Sequence, residues 1–296
     1  MVLIATTVFM FAMALIFAMA LCVANRRLAV QIDPRQTEIE AALPGINCGG
    51  CGFPGCAGYA EALVQGKAEA NKCGPGGPSV AGKIAGILGV AVGETWPRFP
   101  VVHCCAGADV RPPRPDRHRI TTCAGAHVAG QSQTCAYGCL GLADCKVACQ
   151  FGAIRMINGL PVIDYSLCTS CGACERACPR AIIRLIPFKA DRMTVVACAS
   201  RDPGRSMREL HICPVGCIGC GACVRAVPEV FQMTVNLAVI DYQKYDALAD
   251  LSVAAGKCPV KVIRIVGPNN SIQRKPDPLP KPAATPAASS AEAASS

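Results

Sequence analysis

The longest apolar stretch of the chain lies at its N-terminus. Met1 to Ala24 contains no charged residue, and the basic pair Arg26-Arg27 follows it directly. An apolar run of roughly 20 residues crosses a bilayer as a helix. A cleaved signal peptide is the competing interpretation, but it has a shorter apolar core with basic residues before it. The pattern predicts a retained anchor at 1–27, with the following domains on the cytoplasmic side by the positive-inside rule.

Shorter apolar patterns predict the elements of small domains. Two segments, Tyr59 to Ala70 and Ser79 to Val92, have the composition of helices. Short alternating runs at 153–157, 161–164 and 181–185 are typical of strands. Pro268 to Ser296 is rich in Pro, Ala and Ser without apolar periodicity, which predicts a disordered tail.

The composition favours small modules held together by metal. The 296 residues include 22 cysteines but only one tryptophan. A secreted disulfide scaffold is the alternative, and the predicted topology argues against it because a reducing cytoplasm keeps thiols reduced. The formal charge of +9 comes from scattered basic residues, with no basic stripe typical of nucleic-acid binding. A four-iron cluster with four thiolates contributes roughly −2, so several clusters would offset this charge.

The strongest motif is Cys168-x2-Cys171-x2-Cys174-x3-Cys178-Pro179. Three closely spaced thiolates and a fourth before proline form the bacterial ferredoxin signature, in which the fourth cysteine ligates the neighbouring cluster. Thiolates also select zinc or cuprous copper. The cross-ligated arrangement favours iron–sulfur clusters and hence electron transfer.

The run that precedes it lacks one ligand. It reads Cys139-x2-Leu142-x2-Cys145-x3-Cys149, so a leucine occupies the middle cysteine position. Cys135, one helical turn earlier, is the expected replacement. One cluster would then be held by Cys135, Cys139, Cys145 and Cys178, and the other by Cys149, Cys168, Cys171 and Cys174. A three-iron cluster or a non-cysteine ligand at the first site remains open.

A third ferredoxin-like module has kept one cluster. Its run is Cys217-x2-Cys220-x2-Cys223-x3-Val227-Pro228, and only Cys258-Pro259 remains of a second half. Cross-ligation pairs Cys217, Cys220 and Cys223 with Cys258. The other cluster would need Val227 and an absent trio, so we expect it to have been lost whole.

A separate four-cysteine knot follows the anchor. Cys48-x2-Cys51-x4-Cys56-x16-Cys73 places a trio in a glycine-rich loop with a distant fourth cysteine. Glycine allows the loop to bend around a compact cluster. A structural zinc site is the alternative, although such sites more often use two separated Cys-x2-Cys pairs.

Six cysteines lie outside these assignments. Cys22 lies within the anchor and is interpreted as a small apolar residue. The other five are either buried free thiols or parts of an additional site shared between the stretches after Val101-Val102 and Val195-Val196. They are Cys104, Cys105, Cys123, Cys198 and Cys213.

Together these motifs resemble the B subunit of Rnf-type ion-translocating electron transport complexes, in its long form with extra ferredoxin-like repeats. The resemblance rests on the order of anchor, Cys48-Gly-Gly-Cys-Gly-Phe-Pro-Gly-Cys56 knot and Cys135-Ala-Tyr-Gly-Cys-Leu-Gly-Leu-Ala-Asp-Cys145 run, and covers roughly residues 1 to 265. An apolar residue at Leu142 fits other long-form members. The departures are Gln150, where proline would follow the fourth cysteine, and the eroded half of the third module.

The resemblance implies an α+β protein with about four 4Fe–4S clusters. We expect a transmembrane anchor (1–27), a four-cysteine module (28–95), a two-cluster ferredoxin-like domain (96–190), a degenerate one-cluster domain (191–267) and a tail (268–296). It further implies a subunit of an inner-membrane translocase that relays electrons between soluble ferredoxin and NAD while Na⁺ or H⁺ is moved. The other subunits and ferredoxin would be its partners.

Other functions are less consistent with the sequence. No Gly-x-Gly-x-x-Gly follows a strand, so we expect no direct NAD site. No residue pattern indicates a nucleophile or an acid–base pair, so we expect no catalytic side chain. The alternatives are an iron–sulfur subunit of another membrane-bound oxidoreductase and a zinc-stabilised scaffold.

Overall fold

The computed structural model describes residues 2–28, 33–93, 95–111, 120–130, 135–246 and 251–267. The predicted tail at 268–296 lies outside them. The chain divides into two compact units, one formed by 1–72 and 79–92 and the other by 73–78 and the residues from 93 onward. The mixture of helices and short strands confirms the predicted α+β class.

The smaller unit begins with the apolar helix α1 (Val2–Leu28). Its segment Ile4–Arg27 is 24 residues long with a mean hydropathy of 2.5, and none of it is buried within the chain. Large apolar side chains such as Phe9 and Phe11 are exposed. A helix that is apolar on every side and long enough to span a bilayer fits a membrane better than water.

Helices α2 (Pro34–Ala42) and α3 (Gly55–Val64) pack against each other. The Asp33 side chain caps α2 by accepting a hydrogen bond from the Arg35 amide at 2.9 Å. Between the helices, Ile39 and Tyr59 are fully buried. This small core supports the cysteine loop that lies between the two helices in sequence.

Helix α3 differs from the helix predicted over Tyr59 to Ala70, since it ends at Val64. Gly66 adopts a φ of 69°, a left-handed conformation that ends a helix at little cost. The chain then returns to the helix: the Tyr59 hydroxyl donates to the Glu69 carbonyl at 2.6 Å and accepts from the Lys72 amide at 3.2 Å. Tyr59 thus fixes the residue that directly precedes Cys73.

Helix α4 (Gly77–Leu88) is shorter than the predicted Ser79–Val92 helix at its C-terminal end. Gly89 has a φ of 67°, and the Val90 amide donates to the Ala85 carbonyl at 3.1 Å. This is a Schellman-type end, which terminates the helix there. Residues 73–78 belong to the larger unit, where Gly74 lies against the Ser170 carbonyl.

The larger unit repeats one arrangement twice. In each copy an outer pair of antiparallel strands surrounds an inner hairpin, and short helices carry the cysteine runs. The first copy contains β1 (Arg98–Val102), α5 (Cys123–Val128), α6 (Asp144–Val147), β2 (Ile154–Ile157), β3 (Leu160–Ile163), α7 (Ala173–Arg176) and β4 (Ile183–Pro187). The second contains β5 (Met193–Val196), α8 (Gly204–Glu209), α9 (Ala222–Ala226), β6 (Phe231–Thr234), β7 (Leu237–Ile240), α10 (Ser252–Lys257) and β8 (Ile263–Val266).

The register of the strands is equivalent in the two copies. β1 pairs with β4 from Arg98↔Pro187 to Val102↔Ile183, and β5 pairs with β8 from Met193↔Val266 to Val196↔Ile263. The inner hairpins are β2 with β3 and β6 with β7. The strands predicted at 153–157, 161–164 and 181–185 are therefore present, each shifted by one or two residues.

Equivalent tyrosines tie each inner hairpin to its outer strand. The Tyr165 hydroxyl donates to the Pro100 carbonyl at 3.2 Å, and the Tyr242 hydroxyl donates to the Thr194 carbonyl at 3.5 Å. Both tyrosines follow an Ile-Asp pair at the end of the hairpin. The two copies also share one core, in which Val101 and Ile186 of the first pack with Val195 of the second.

Side chains fill the eroded half of the second copy. Tyr245 occupies the place that Cys168 has in the first copy, three residues after the repeated tyrosine. It is 5% exposed, and its hydroxyl accepts a hydrogen bond from the Thr194 amide at 3.2 Å. Leu251 and Ala254 are buried in the same core, and Val227 packs against it. These contacts support the prediction that one cluster was lost whole.

We predict that Tyr245→Phe destabilises the second copy. It leaves the buried Thr194 amide without its acceptor, which costs about 1–3 kcal/mol. Denaturant unfolding of the anaerobically purified full chain in detergent should show a lower midpoint. The control is Tyr242→Phe, which removes a hydroxyl bound over 3.5 Å to a carbonyl and should cost less. Equal midpoints for the Tyr245→Phe variant and the wild type would contradict the assigned role.

Candidate iron–sulfur sites

The three ferredoxin-type runs share one backbone conformation. In each, the second and fourth residues after the first cysteine adopt left-handed φ angles between 60° and 72°. These positions are Gly141 and Ala143, Ser170 and Gly172, and Gly219 and Gly221. Loops of this kind turn successive N–H groups inward and form concavities that bind anions, including iron–sulfur clusters.

Two of these positions are not glycine. Ala143 and Ser170 adopt φ angles of 69° and 60°, which L-residues rarely take because the Cβ atom crowds the backbone. Such conformations persist when the surroundings over-determine them, and they concentrate at functional sites. The runs therefore keep a cluster-binding shape even where the sequence does not favour it.

The thiols are reduced and several are deeply buried. All 22 cysteines are free. Burial raises the pKa of Cys139, Cys145 and Cys174 to about 12. At neutral pH such thiols are protonated unless a metal stabilises the thiolate, and bound metal deprotonates a coordinating thiol outright. The surroundings fit ligands of a metal centre better than nucleophiles.

The cavity at the first ferredoxin site brings Cys123 together with three of the four predicted ligands. Cys123, Cys139, Cys145 and Cys178 all line it. After burial, the neighbouring charges of Cys123 and Cys178 do most to raise the pKa of Cys145. Cys135, which the sequence favoured as the replacement for Leu142, lines a different cavity.

The Asp144 carboxylate explains the position of Cys123. Asp144 is the first residue of α6 and directly precedes Cys145. Its two oxygens accept hydrogen bonds from the Cys123 amide at 2.8 Å and the Ala124 amide at 3.0 Å. This clamps the N-terminus of α5 beside α6. The acidic residue before Cys145 was the available sequence signal, but its partner lies about twenty residues away.

The cysteines predicted for the second site lie near one another. Burial raises the pKa of Cys168, and the neighbouring charges of Cys171 and Cys149 raise it further. Burial and the charges of Cys168 and Cys171 likewise raise the pKa of Cys174. Within the described residues, the buried Thr169 hydroxyl and Arg180 Nε have no hydrogen-bond partner. Both lie in or next to cluster runs, where the sulfurs of a cluster would accept hydrogen bonds. The residues present therefore fit an iron–sulfur cluster.

The third site joins two helices of the second copy. Cys223 lies on α9, Cys258 follows α10, and the two helices pack together. Burial raises the pKa of Cys223, and the neighbouring charges of Cys217 and Cys220 raise it further. Of these four cysteines only Cys220 is exposed.

The loop before α3 holds the trio of the four-cysteine knot. Gly49, Gly52 and Gly55 take φ angles of 65°, 89° and 83°. The Gly50 amide donates to the Cys48 sulfur at 3.5 Å, and the Cys56 amide donates to the Asn47 side-chain oxygen at 2.7 Å. The loop thus curls around its sulfurs. Cys73 belongs to the other compact unit, so its place in this set stays a prediction.

Three family models match the cysteine-rich parts of the chain. A model for an Fe–S cluster family matches residues 43–75, which include all four cysteines of the knot. The 4Fe-4S binding domain model matches residues 161–184, and a model for the 4Fe-4S single cluster domain of ferredoxin I matches residues 212–265. These matches confirm the iron–sulfur class of the predicted modules.

Curated relatives align over most of the chain. The B subunit of an ion-translocating oxidoreductase complex from Methanosarcina acetivorans is 38% identical, over 83% of this chain and 91% of the relative. The B subunit of the Na(+)-translocating ferredoxin:NAD(+) oxidoreductase complex of Acetobacterium woodii is 38% identical, over 84% and 74%.

A third relative has a different coupling ion in its name. The B subunit of the proton-translocating ferredoxin:NAD(+) oxidoreductase complex of Clostridium ljungdahlii is 35% identical, over 88% of this chain and 92% of the relative. Because such identities extend over more than four fifths of its length, the chain belongs to the family of B subunits of Rnf-type ion-translocating oxidoreductase complexes.

Proposed function

We propose that this chain is the iron–sulfur electron-relay subunit of a membrane complex that couples electron transfer between ferredoxin and NAD to the translocation of Na⁺ or H⁺. The observation that carries the proposal is the cluster-binding backbone repeated in three cysteine runs of one compact unit. The relatives named as subunits of ferredoxin:NAD(+) oxidoreductase complexes support it.

Four ligand sets follow from the motifs and the geometry. The knot contributes Cys48, Cys51, Cys56 and Cys73, and the match of one family model over 43–75 supports this set. At the first ferredoxin site the cavity favours Cys123 in place of Cys135, with Cys139, Cys145 and Cys178. The second site uses Cys149, Cys168, Cys171 and Cys174. The last uses Cys217, Cys220, Cys223 and Cys258, and the single-cluster family match supports it.

Clusters in these sites would accept and release one electron at a time. The chain's own residues supply the thiolates, the inward N–H groups and the apolar walls that limit water access. Arginines add positive charge in equivalent places: Arg176 donates to the Cys171 carbonyl at 3.2 Å, and Arg225 donates to the Cys220 carbonyl at 3.0 Å. Such charges favour the reduced state of a nearby cluster.

The exposed Cys220 marks a surface where ferredoxin would exchange electrons with the relay. Arg225 lies at this edge, and cationic side chains of this kind would attract an acidic protein. Pyridine nucleotide chemistry and the ion pathway would then belong to partner subunits. Helix α1 contains no charged residue before Arg26, so it makes a poor ion pathway by itself.

We propose that α1 anchors the chain in the inner membrane with the iron–sulfur domains in the cytoplasm. The basic pair Arg26 and Arg27 lies in the last turn of the helix. Basic residues flanking an apolar helix remain on the cytoplasmic side. A carbonate wash that leaves the full chain in the membrane fraction, together with protease cleavage of the iron–sulfur domains in inverted but not in right-side-out vesicles, would support this topology.

We predict that Cys171→Ala removes the cluster of the second ferredoxin site and abolishes ferredoxin-dependent NAD reduction. Ligation and folding are coupled, so the loss should extend to the neighbouring cross-ligated site. Iron analysis of the purified complex should show about four to eight fewer irons per chain. Cys22→Ala, which changes a thiol in α1, is the matched control and should behave as the wild type.

The same purification separates the competing functions. Wild-type activity in membranes of the Cys171→Ala strain would refute the relay assignment. Stoichiometric zinc without a reversible redox signal would favour a scaffold. Recovery of the wild-type chain in a complex with no ferredoxin:NAD⁺ activity would favour another membrane oxidoreductase.

We predict that Cys123→Ser lowers the iron content by about four atoms per chain, because it removes a ligand of the first ferredoxin site. Adding Leu142→Cys should restore the irons, since it returns a cysteine to the position expected in a ferredoxin run. EPR of the reduced protein should follow both changes. Full iron content in the Cys123→Ser variant would show that Cys123 is not a ligand.

We predict that Arg225→Gln makes the cluster at Cys220 harder to reduce, by tens of millivolts, because a positive charge is lost beside it. An EPR-monitored redox titration measures the shift. Arg205→Gln is the control, since Arg205 is exposed and paired with Glu209 at 2.8 Å. A midpoint unchanged by Arg225→Gln would contradict the proposed electrostatic role.

A further inference from the structure

Five thiols outside the ferredoxin-type runs line one cavity of the larger unit. They come from both copies of the repeat, and Arg111 lines the same cavity. The five cysteines are Cys104, Cys105, Cys135, Cys198 and Cys213. We propose that four of them, Cys104, Cys135, Cys198 and Cys213, hold a fifth iron–sulfur cluster between the two copies, an inference that rests on the proposed relay function.

The internal repeat explains why these cysteines meet. Cys104 follows β1 and Cys198 follows β5, each two residues after the last residue of its strand. Cys135 and Cys213 each lie four residues before the first cysteine of their run, Cys139 and Cys217. Two copies that pack on one core therefore bring two equivalent pairs together, and Cys105 adds a fifth thiol.

The internal repeat selects four of the five. Cys104 and Cys198 are equivalent, and their sulfurs accept equivalent hydrogen bonds, from the Cys139 amide at 3.5 Å and the Cys217 amide at 3.4 Å. Cys135 and Cys213 form the other equivalent pair. Cys105 has an alanine at its equivalent position in the second copy, and its thiol donates to the Val215 carbonyl at 3.4 Å, so it is the natural control.

The lining of the cavity suits an iron–sulfur cluster. Its five thiols converge on one space, as the thiols of the first ferredoxin site do. Its remaining walls are largely apolar, and include Val110, Met207 and Ile212. Apolar walls with convergent thiols are the surroundings of buried iron–sulfur centres.

Two arginines supply positive charge for an anionic centre. Arg111 lines the cavity, with its guanidinium donating to the Cys139 carbonyl and, at 2.9 Å, to the Gly159 carbonyl. Burial raises the pKa of Cys105, and the positive charge of Arg264 partly offsets this rise. The buried Nε of Arg264 has no hydrogen-bond partner among the described residues. A cluster with four thiolates carries roughly −2, which two guanidinium groups would compensate.

The position of this cavity fits a relay between the copies. The Cys104 sulfur accepts a hydrogen bond from the Cys139 amide at 3.5 Å, while Cys198 is bonded to the Cys217 amide. Cys139 and Cys217 are ligands proposed for the clusters of the two copies. A centre at the cavity would therefore adjoin both, and electrons would pass between the copies through it.

The test compares Cys135→Ser, Cys213→Ser and their double variant in the full chain, purified anaerobically with its complex. The wild type should contain about twenty irons per chain with matching acid-labile sulfide. Each single variant should contain about sixteen, and the double variant about sixteen as well, because both residues serve one cluster. Cys105→Ser should retain about twenty.

Other outcomes overturn the proposal. Unchanged iron in both single variants, or about one zinc per chain lost from them, would exclude a cluster in the cavity. About twelve irons in the double variant would place Cys135 and Cys213 in separate clusters. EPR spin integration checks that the remaining clusters are intact, so that general unfolding of a variant is recognised. If a variant does unfold, Mössbauer counting of the wild type decides between sixteen and twenty irons.

The measurements also separate this inference from the proposed function. A wild type with sixteen irons and full ferredoxin-dependent activity would remove the fifth cluster alone. A wild type without redox-active iron would remove the relay function and the fifth cluster together.

Discussion

The larger unit depends on thiolates held where water cannot stabilise them. Burial raises the pKa of Cys139 and Cys145 to about 12, so the apolar surroundings disfavour the charge that iron requires of its ligands. The backbone meets this requirement with left-handed turns that direct N–H groups inward, even at Ala143 and Ser170. Strands and helices around the runs are short because their main task is to position these loops.

The sequence predicted what depends on local spacing. The cysteine runs, the apolar helix and the inner strands follow from patterns within about thirty residues, and their positions agree with the structure. Local spacing does not place Cys123 beside the first run, because its position depends on Asp144, which binds it across about twenty residues of sequence. The end of α3 differs from the predicted one because Gly66 adopts a left-handed conformation that ends the helix.

The second copy packs side chains where the first copy has cysteines. Tyr245, Leu251 and Ala254 are buried at the positions that correspond to cysteines of the first copy. The tyrosine pair that ties the hairpin to the outer strand is retained in both copies. The fold thus tolerates exchange of a metal centre for a packed core, provided that the surrounding strands keep their register.

Cross-ligation has a consequence for exposure to oxygen. In the proposed ligand sets, Cys149 lies in the first run of its domain but serves the second site, while Cys178 lies in the second run and serves the first. Each cluster would then act as a staple between the two halves of the domain, much as a disulfide restricts an unfolded chain. Oxidative release of one cluster would leave the halves joined through the other alone, so the domain would come apart only when both are lost.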